Sequence, residues 1–225
     1  MNIFDIIGPV MIGPSSSHTA GAVRIGKVSL DILGEPVVKA EISLSGSFAK
    51  TGKGHGTDRA IIAGLLGMMP DDSRIPNSFD IAKDCGLEWS FSEINLSRAH
   101  PNTAKLFLVG KSGKQCKVQG ASVGGGNILI TNVNDMETAF TGISDTLIIP
   151  HKDVSGMIAS VTTQMAFAGI NIGNFKLNRP HKGFQAVMTL EIDGTISDDA
   201  VAHLAALPHI ESVVLLHAHR SEAES

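Results

Sequence analysis

The sequence predicts an α/β protein of the α+β type with two domains, and three observations support this. The chain has 225 residues, of which 43% are hydrophobic, enough for one or two cores. Over residues 18–133, segments with helical and strand periodicity follow one another. From residue 145 the order reads β-α-β-β-α-β, the split βαβ pattern of ferredoxin-like folds. We expect domains at 1–140 and 145–220, with the boundary inside 134–144.

The first domain is predicted to begin with a helix that ends at Gly34, where glycine suits a C-cap. The expected helices cover residues 18–33, 57–69 (capped by Thr57 or Asp58) and 77–83; the expected strands cover 37–45, 87–94, 104–110, 115–121 and 128–133. Strands 104–110 and 115–121 should form a hairpin. Residues 50–58 are expected to be a loop, because three glycines at alternate positions free the backbone.

The second domain has a more regular pattern. Its expected strands cover residues 146–150, 170–177, 184–192 and 212–218, and its expected helices cover 153–169 and 197–208. Asp153 or Ser155 should cap the first of these helices and Gly169 should end it, while Ser197 should cap the second.

Composition excludes several classes of function. The net charge of −4 and an aromatic content of 4% argue against nucleic-acid binding. The N-terminal residues lack a basic leader, and no apolar run is long enough to span a bilayer, so we expect a cytoplasmic protein without a membrane partner. Cys85 and Cys116 are distant in sequence and form no CxxC pattern, which favours reduced, ordinary cysteines.

The motif GPSSSHT, residues 13–19, leads from a Gly-Pro turn into the first predicted helix. It places four hydroxyls beside the free N–H groups of a helix start, those of Ser15, Ser16, Ser17 and Thr19. One serine would suffice as an N-cap, which is the simplest interpretation. We favour anion binding, because unpaired N–H groups and the helix dipole attract a carboxylate or phosphate.

The second motif, TGKGHGTD at residues 51–58, holds His55 between glycines. Its spacing fits neither a P-loop nor a dinucleotide-binding loop. A flexible surface loop is the alternative interpretation, but an accessible histidine titrates near neutral pH and suits proton transfer. His100 in HPNT and the glycines of SVGGGN (122–127) are weaker signals. Without HExxH or clustered cysteines, we expect no metal site made by this chain alone.

Together, GPSSSHT, TGKGHGTD, HPNT and SVGGGN, followed by the βαββαβ region, resemble one family over nearly the whole chain. The family that these motifs resemble is the β subunit of the bacterial iron–sulfur-dependent L-serine dehydratase, or L-serine ammonia-lyase. The resemblance implies that the first domain is similar to the allosteric substrate-binding domain of some 3-phosphoglycerate dehydrogenases. It also implies that the second is similar to an ACT domain, a small-molecule regulatory fold.

The resemblance further implies an enzyme that converts L-serine into pyruvate and ammonia with a [4Fe–4S] cluster. The cluster ligands belong to a separate α subunit, the expected partner, and Cys85 and Cys116 match no cluster motif. Under this interpretation the segment from Ser15 to Thr19 holds the substrate, His55 takes its α-proton, and His18 orients the substrate or shares the proton transfer. The residues expected to complete the pocket are Lys50, Thr51, Gly52, Lys53, Gly54, Gly56, Thr57, Asp58 and His100.

Rate arithmetic agrees that this chain needs a partner. A positioned general base gives about 10²–10⁴-fold in rate, whereas enzymes as a class reach about 10⁶-fold or more. Expelling hydroxide also requires an electrophile, such as an exposed iron, and the chain offers none that we can identify from its sequence.

The ACT-like region has two possible roles. It could sense an amino-acid effector at Asp153, Ser155 and Gly156, or it could dimerise two copies of the chain, and we favour dimerisation. A non-catalytic regulatory protein that binds amino acids remains an alternative, although a sensor has no need of an accessible histidine between glycines. A free-standing enzyme with a bound divalent metal is a third possibility.

Overall fold

The structure, a computed structural model, describes residues 11–218 except for the Lys53 side chain. Contacts divide the chain into two units between Asp135 and Met136, and each unit combines helices with strands. The predicted fold class, α+β with two domains, is therefore confirmed. The limits 1–140 and 145–220 stay predictions about the family domains.

The first unit begins its described part with a π-helical turn, Ser16–Ala20, that continues directly into helix α1. The elements of this unit are α1 (Gly21–Leu33), β1 (Val37–Gly46), α2 (Ser47–His55), α3 (Thr57–Leu65), a 3₁₀ turn (Ile75–Asn77), α4 (Ser78–Asp84), β2 (Glu88–Glu93), β3 (Asn102–Gly110), β4 (Gln115–Gly124) and β5 (Asn127–Val133).

The strands of this unit lie in the order β2-β1-β3-β4-β5. Among the described strands of this unit, β1 and β2 form the one parallel pair; β3 is antiparallel to β1 and β4, and β4 is antiparallel to β5. Helix α1 packs on α3 and on β4, and its residues Ile25 and Leu33 are fully buried. Glycine permits the close approach of the two helices: a Cβ at Gly64 would lie 2.1 Å from the Val23 carbonyl oxygen. The predicted hairpin of β3 and β4 is confirmed.

The expected loop over residues 50–58 is wrong, because most of it belongs to helix α2. Tertiary contacts outweigh the low helix propensity of its glycines. Phe48 is fully buried, and the Pro101 carbonyl accepts a hydrogen bond of 2.7 Å from the Ser47 N–H at the start of the helix. Gly56 ends the helix in the left-handed conformation, with φ of 70°.

Helix α3 is shorter than predicted and its cap differs. The cap residue is Gly56 rather than Thr57 or Asp58, because α2 and α3 meet at this single residue. The helix ends at Leu65 instead of residue 69. The remaining predicted helices and strands of the first unit occur within a few residues of their expected limits.

The second unit contains β6 (Met136–Phe140), β7 (Asp145–Lys152), α5 (Met157–Phe167), β8 (Ile172–Asn178), β9 (Gln185–Ile192), α6 (Asp198–Ala205) and β10 (Val214–Leu216). Its four-stranded sheet has the order β10-β7-β9-β8, with each neighbouring pair antiparallel. From β7 to β10 the chain therefore follows the predicted β-α-β-β-α-β order. Strand β6 lies in the segment where the sequence predicted only a domain boundary.

Capping in the second unit was predicted with mixed success. Ser197 caps α6 as predicted, because its hydroxyl accepts a hydrogen bond from the Ala200 N–H. Asp153 and Ser155 do not cap α5; Gly156 does, with φ of 91°. The Asp153 carboxylate accepts a hydrogen bond from the Gly183 N–H instead. Helix α5 ends at Phe167 with Ala168 as its C-cap, and Gly169 follows in the left-handed conformation with φ of 71°, so the predicted stop at Gly169 is confirmed.

Candidate functional site

The π-helical turn fixes the position of His18. Ser15 is its N-cap, and the Ser15 hydroxyl accepts a hydrogen bond of 3.2 Å from the His18 N–H. The capping interpretation is thus confirmed for Ser15. Thr19 is buried, and its hydroxyl lies 3.4 Å from the His55 carbonyl oxygen, to which it donates. Ser16 and Ser17 are half-buried.

Helix α2 presents Ser47 and Thr51 on one face, because residues four apart on a helix are neighbours. The Thr51 hydroxyl donates to the Ser47 carbonyl over 2.9 Å, and the two hydroxyl oxygens are 3.4 Å apart. Gly46 allows the preceding backbone to pass Pro101: its φ is 59°, and a Cβ there would lie 2.5 Å from the Pro101 carbonyl oxygen. The HPNT segment therefore braces the start of α2.

His18 joins the π-helical turn to helix α2. Its Nε2 lies 3.0 Å from the Ser47 Oγ and 3.1 Å from the Thr51 Oγ1. Its Nδ1 lies 3.4 Å from the Ser15 Oγ. We call Ser15, His18, Ser47, Thr51 and His55 the histidine–hydroxyl cluster. Both ring nitrogens of His18 are thus occupied by protein hydroxyls.

His55, the last residue of α2, completes the cluster. Its ring centroid lies 4.9 Å from that of His18, with the two planes at 80°. The buried Phe48 ring contacts His18 from another direction, at 5.5 Å. Burial, and secondarily the charge that His55 can carry, lowers the pKa of His18. His18 is therefore held neutral near pH 7, whereas the His55 side chain is exposed and accessible to a ligand.

Other predicted pocket residues are not part of these contacts. Lys50 and Gly54 are exposed, and Gly52 is buried against Thr57. Thr57 is fully buried, and its hydroxyl has no hydrogen-bond partner among the described residues. Asp58 accepts a hydrogen bond from the Arg59 N–H next to it. The predicted role of the Lys53 side chain lies outside the described part of the structure.

His100 and the triple-glycine loop lie at segments that support the cluster. The His100 Nδ1 accepts from the Asn102 N–H over 3.1 Å, which shapes the turn around Pro101. Arg24 of α1 donates to the Gly126 carbonyl over 3.1 Å. Gly21, directly after the π-helical turn, packs on Ser122, where a Cβ would lie 2.1 Å from the Ser122 Oγ. The triple-glycine segment thus contacts helix α1, and the turn around Pro101 contacts the start of helix α2.

Sequence reasoning missed Ser47 and Phe48. Both precede the glycine-rich motif, so a loop prediction for residues 50–58 gave no reason to consider them. The available signal was the spacing of Ser47 and Thr51, which becomes an i, i+4 pair once the segment is recognised as a helix. Fully buried Phe48 then supplies the apolar face that the helix needs.

In the second unit, the three predicted effector residues occupy the segment between β7 and α5. The Asp153 carboxylate holds the turn before β9: it accepts from the Gly183 N–H over 2.7 Å and lies 3.6 Å from the Arg179 Nη1. Ser155 is exposed, and Gly156 begins the helix. Their assignment to an effector site stays a prediction.

The two cysteines do not form a ligand set for a metal cluster. Cys85 is exposed after α4, whereas Cys116 is buried in β4, where burial raises the pKa of its thiol to about 11. Across residues 11–218 no group of three or more His, Cys, Asp or Glu side chains could hold a metal ion. Among the same residues, no helix combines the length and apolarity required to cross a membrane.

The fold and the cluster define a class: an α+β protein of two units whose first unit brings a pair of histidines together with the hydroxyls of Ser15, Ser47 and Thr51. A model of the family described as "Serine dehydratase beta chain" matches residues 2–86. The chain is 43% identical over 212 residues to the "Probable L-serine dehydratase, beta chain" of Bacillus subtilis (strain 168), covering 94% of this chain and 96% of that protein.

A second relative gives the same result. The chain is 38% identical over 196 residues to the "L-serine dehydratase, beta chain" of Peptoniphilus asaccharolyticus, covering 87% of this chain and 88% of that protein. The chain therefore belongs to the L-serine dehydratase beta chain family, and the resemblance inferred from the motifs is confirmed.

A more distant relative has another printed function. The chain is 26% identical over 209 residues to the "D-3-phosphoglycerate dehydrogenase" of Methanocaldococcus jannaschii. That alignment covers 91% of this chain but only 38% of the dehydrogenase, so the two proteins share a region rather than their full length.

Proposed function

We propose that this chain acts as the β chain of an L-serine dehydratase, which converts L-serine into pyruvate and ammonia together with an α chain. The observation that carries this proposal is the histidine–hydroxyl cluster, which pairs an exposed His55 with a neutral, hydroxyl-bound His18. Family membership supplies the substrate and the reaction. A cytoplasmic location is part of the same proposal.

The proton acceptor for the α-proton of serine is His55. Its imidazole is exposed at the end of α2, and no hydrogen bond from a described side chain occupies it. A base must be reachable by the carbon that loses the proton, and His55 meets this requirement better than His18. Thr19 steadies the His55 backbone through its hydroxyl.

The substrate carboxylate and amino group bind at the π-helical turn. Ser16 and Ser17 are half-buried at the start of a helical segment that runs on through α1, where N–H groups and the helix dipole favour an anion. Ser15 is committed to capping, and Thr19 is committed to the His55 carbonyl. The proposal therefore gives substrate binding mainly to Ser16 and Ser17, with Thr51, Lys50 and Asp58 at the rim.

The [4Fe–4S] cluster implied by the family is assigned to the α chain. Cys85 and Cys116 differ in burial and form no ligand set, so the described residues of this chain do not fit such a cluster. The proposed contribution of this chain is substrate binding and proton transfer.

The second unit is proposed to be an ACT domain that pairs with a second copy and can bind an amino acid. Its βαββαβ order supports the assignment, as does the similarity to a D-3-phosphoglycerate dehydrogenase across both units. Strands β8 and β10 are the edges of its sheet, where pairing with another copy could occur. Titration of amino acids onto the chain by calorimetry, with Ser155→Ala as the variant, tests effector binding.

The proposed role of His55 is tested in the assembled two-chain enzyme. We expect His55→Ala to lower kcat for L-serine by about 10²–10⁴-fold, the usual contribution of a general base. The control is His203→Ala, which removes an exposed histidine from α6 in the other unit and should leave turnover unchanged. Near-normal turnover by His55→Ala would show that another group takes the proton.

A further inference from the structure

The hydroxyl protons of the histidine–hydroxyl cluster can be assigned from its contacts. A hydroxyl has one proton to donate, and a carbonyl oxygen can only accept. The Thr51 hydroxyl lies 2.9 Å from the Ser47 carbonyl oxygen. The Thr51 hydroxyl therefore uses its one proton in a hydrogen bond to that carbonyl oxygen. Toward His18, the Thr51 oxygen can act only as an acceptor.

This assignment decides which nitrogen of His18 carries the proton. If Nε2 carries it, the N–H group is shared by the Thr51 Oγ1 at 3.1 Å and the Ser47 Oγ at 3.0 Å. If Nε2 is unprotonated, its lone pair faces an oxygen lone pair of Thr51 across 3.1 Å, which is repulsive. With the proton on Nε2, both hydroxyl contacts of this nitrogen are hydrogen bonds. Without it, the contact with Thr51 is not a hydrogen bond.

The opposite side of the His18 ring agrees with this assignment. The Ser15 Oγ already accepts from the His18 N–H, and its own proton is available for donation to Nδ1, which lies 3.4 Å away. An unprotonated Nδ1 accepts that proton. The pattern is self-consistent: donation from Ser15 into the ring, and donation from the ring to Ser47 and Thr51.

One hydroxyl proton in the cluster remains without a good acceptor. The Ser47 oxygen accepts the hydrogen bond from the Nε2–H group of His18, so the Ser47 hydroxyl can donate its own hydrogen bond to another acceptor. The described acceptor within reach is the Thr51 Oγ1, and its distance of 3.4 Å is long for a hydrogen bond between two hydroxyls. Ser47 is half-buried, and both its hydroxyl and the accessible His55 ring lie against His18, so a ligand oxygen bound at the cluster could accept this proton.

We propose that His18 is a positioning residue fixed as the neutral Nε2–H tautomer, and that Ser47 donates its hydroxyl proton to an oxygen of the substrate. The identity of that substrate rests on the proposed function, whereas the tautomer does not. His55 is then the single proton acceptor of the pair, because the one unprotonated nitrogen of His18 faces Ser15.

The tautomer is tested by nitrogen NMR on the full chain labelled with ¹⁵N-histidine. The ring nitrogens of His18 are identified by their absence in His18→Gln. We expect Nε2 to be protonated and Nδ1 unprotonated at about pH 7.5. Thr51→Val should weaken the preference and move both shifts toward the average of the two tautomers. A proton on Nδ1, or a charged ring, in the unaltered chain overturns the proposal.

The donor role of Ser47 is tested in the assembled enzyme. We expect Ser47→Ala to raise the KM for L-serine about 10- to 100-fold, the range for a hydrogen bond to a charged group, with little change in kcat. Ser47→Thr keeps the hydroxyl and should restore KM. The control is Ser43→Ala, which loses only a 2.9 Å contact with Ser92 outside the cluster.

The two arms separate this inference from the proposed function. A wild-type KM in Ser47→Ala overturns the donor role of Ser47. An assembled wild-type enzyme without activity on L-serine contradicts the proposed function instead, while the tautomer measured by NMR still decides the position of the His18 proton.

Discussion

At the scale of single residues, His18 and His55 differ because their surroundings differ. His18 is half-buried between the hydroxyls of Ser15, Ser47 and Thr51, while His55 is exposed at a helix end. Burial opposes a charge on His18, and a protonated His55 would oppose it further, since their ring centroids are 4.9 Å apart. The same residue type thus serves two purposes within one cluster.

The lowered pKa of His18 makes the first unit sensitive to acid. In the unfolded chain His18 has an ordinary pKa near 6.5, whereas in the folded chain its pKa is lower. Below about pH 6.5 the unfolded chain therefore binds a proton at His18 more readily than the folded chain does. The free energy of unfolding should therefore be undiminished above about pH 6.5 and should fall as the pH drops below it, until His18 is also protonated in the fold. We expect His18→Gln to show a weaker dependence over this range.

This dependence can be measured by urea unfolding at about pH 7.5 and about pH 5.5. The single tryptophan, Trp89, lies in β2 against Phe79, so its fluorescence follows the first unit. His203→Gln, in the other unit, is the control and should behave as the unaltered chain. If His18→Gln and the unaltered chain lost the same unfolding free energy between these two pH values, groups other than His18 would cause the acid sensitivity.

At the scale of helices and strands, helix α2 explains what the sequence could and could not predict. The motifs marked His55, His18 and the Ser15–Thr19 segment as candidates, and the structure brings them together. Glycine-rich residues 50–58 predicted a loop, since propensity alone disfavours a helix there. The helix is stabilised by the burial of Phe48 and by the hydrogen bond from the Ser47 N–H to the Pro101 carbonyl. These are tertiary contacts, so the local sequence pattern does not predict them.

The packing of α1 on α3 gives a prediction for stability. In Gly64→Ala the new Cβ would lie 2.1 Å from the Val23 carbonyl oxygen and 2.7 Å from the Lys27 nitrogen. These are backbone atoms, so the helices would have to separate. We expect a loss of about 1–3 kcal/mol or more in the free energy of unfolding, measured with urea and Trp89 fluorescence.

The matched control is Gly54→Ala in helix α2. A Cβ at Gly54 has no atom within 4 Å and needs no unusual backbone angle. Alanine should therefore stabilise the chain by up to about 1 kcal/mol, because glycine costs more entropy in a helix. Equal effects of the two substitutions would contradict the close helix contact at Gly64.

At the scale of the whole molecule, the sequence predicted the second unit better than the first. Its strands from β7 to β10 alternate with helices α5 and α6 except between β8 and β9, where a turn joins the two strands, and Gln185–Ile192 has an alternating sequence pattern. Strand β6 was missed because Met136–Phe140 follows Asn134 and Asp135, whose positive φ angles mark a tight turn within the segment interpreted as a boundary.

At the scale of the whole molecule, residues 11–218 also bear on the proposed division of the active site between two chains. In the proposed function this chain contributes one proton acceptor, and a single general base gives about 10²–10⁴-fold in rate. The residues described here supply no ligand set for an iron–sulfur cluster. In the proposed function, this chain therefore contributes one part of an active site that it shares with a cysteine-bearing α chain.

The most direct test is to mix this chain with that α chain under anaerobic conditions, reconstitute iron and sulfide, and follow pyruvate release from L-serine. Each chain alone is the control. We expect activity in the mixture and almost none from either chain alone. Full activity of the α chain by itself, or an inactive mixture with a fully loaded cluster, would contradict the shared active site.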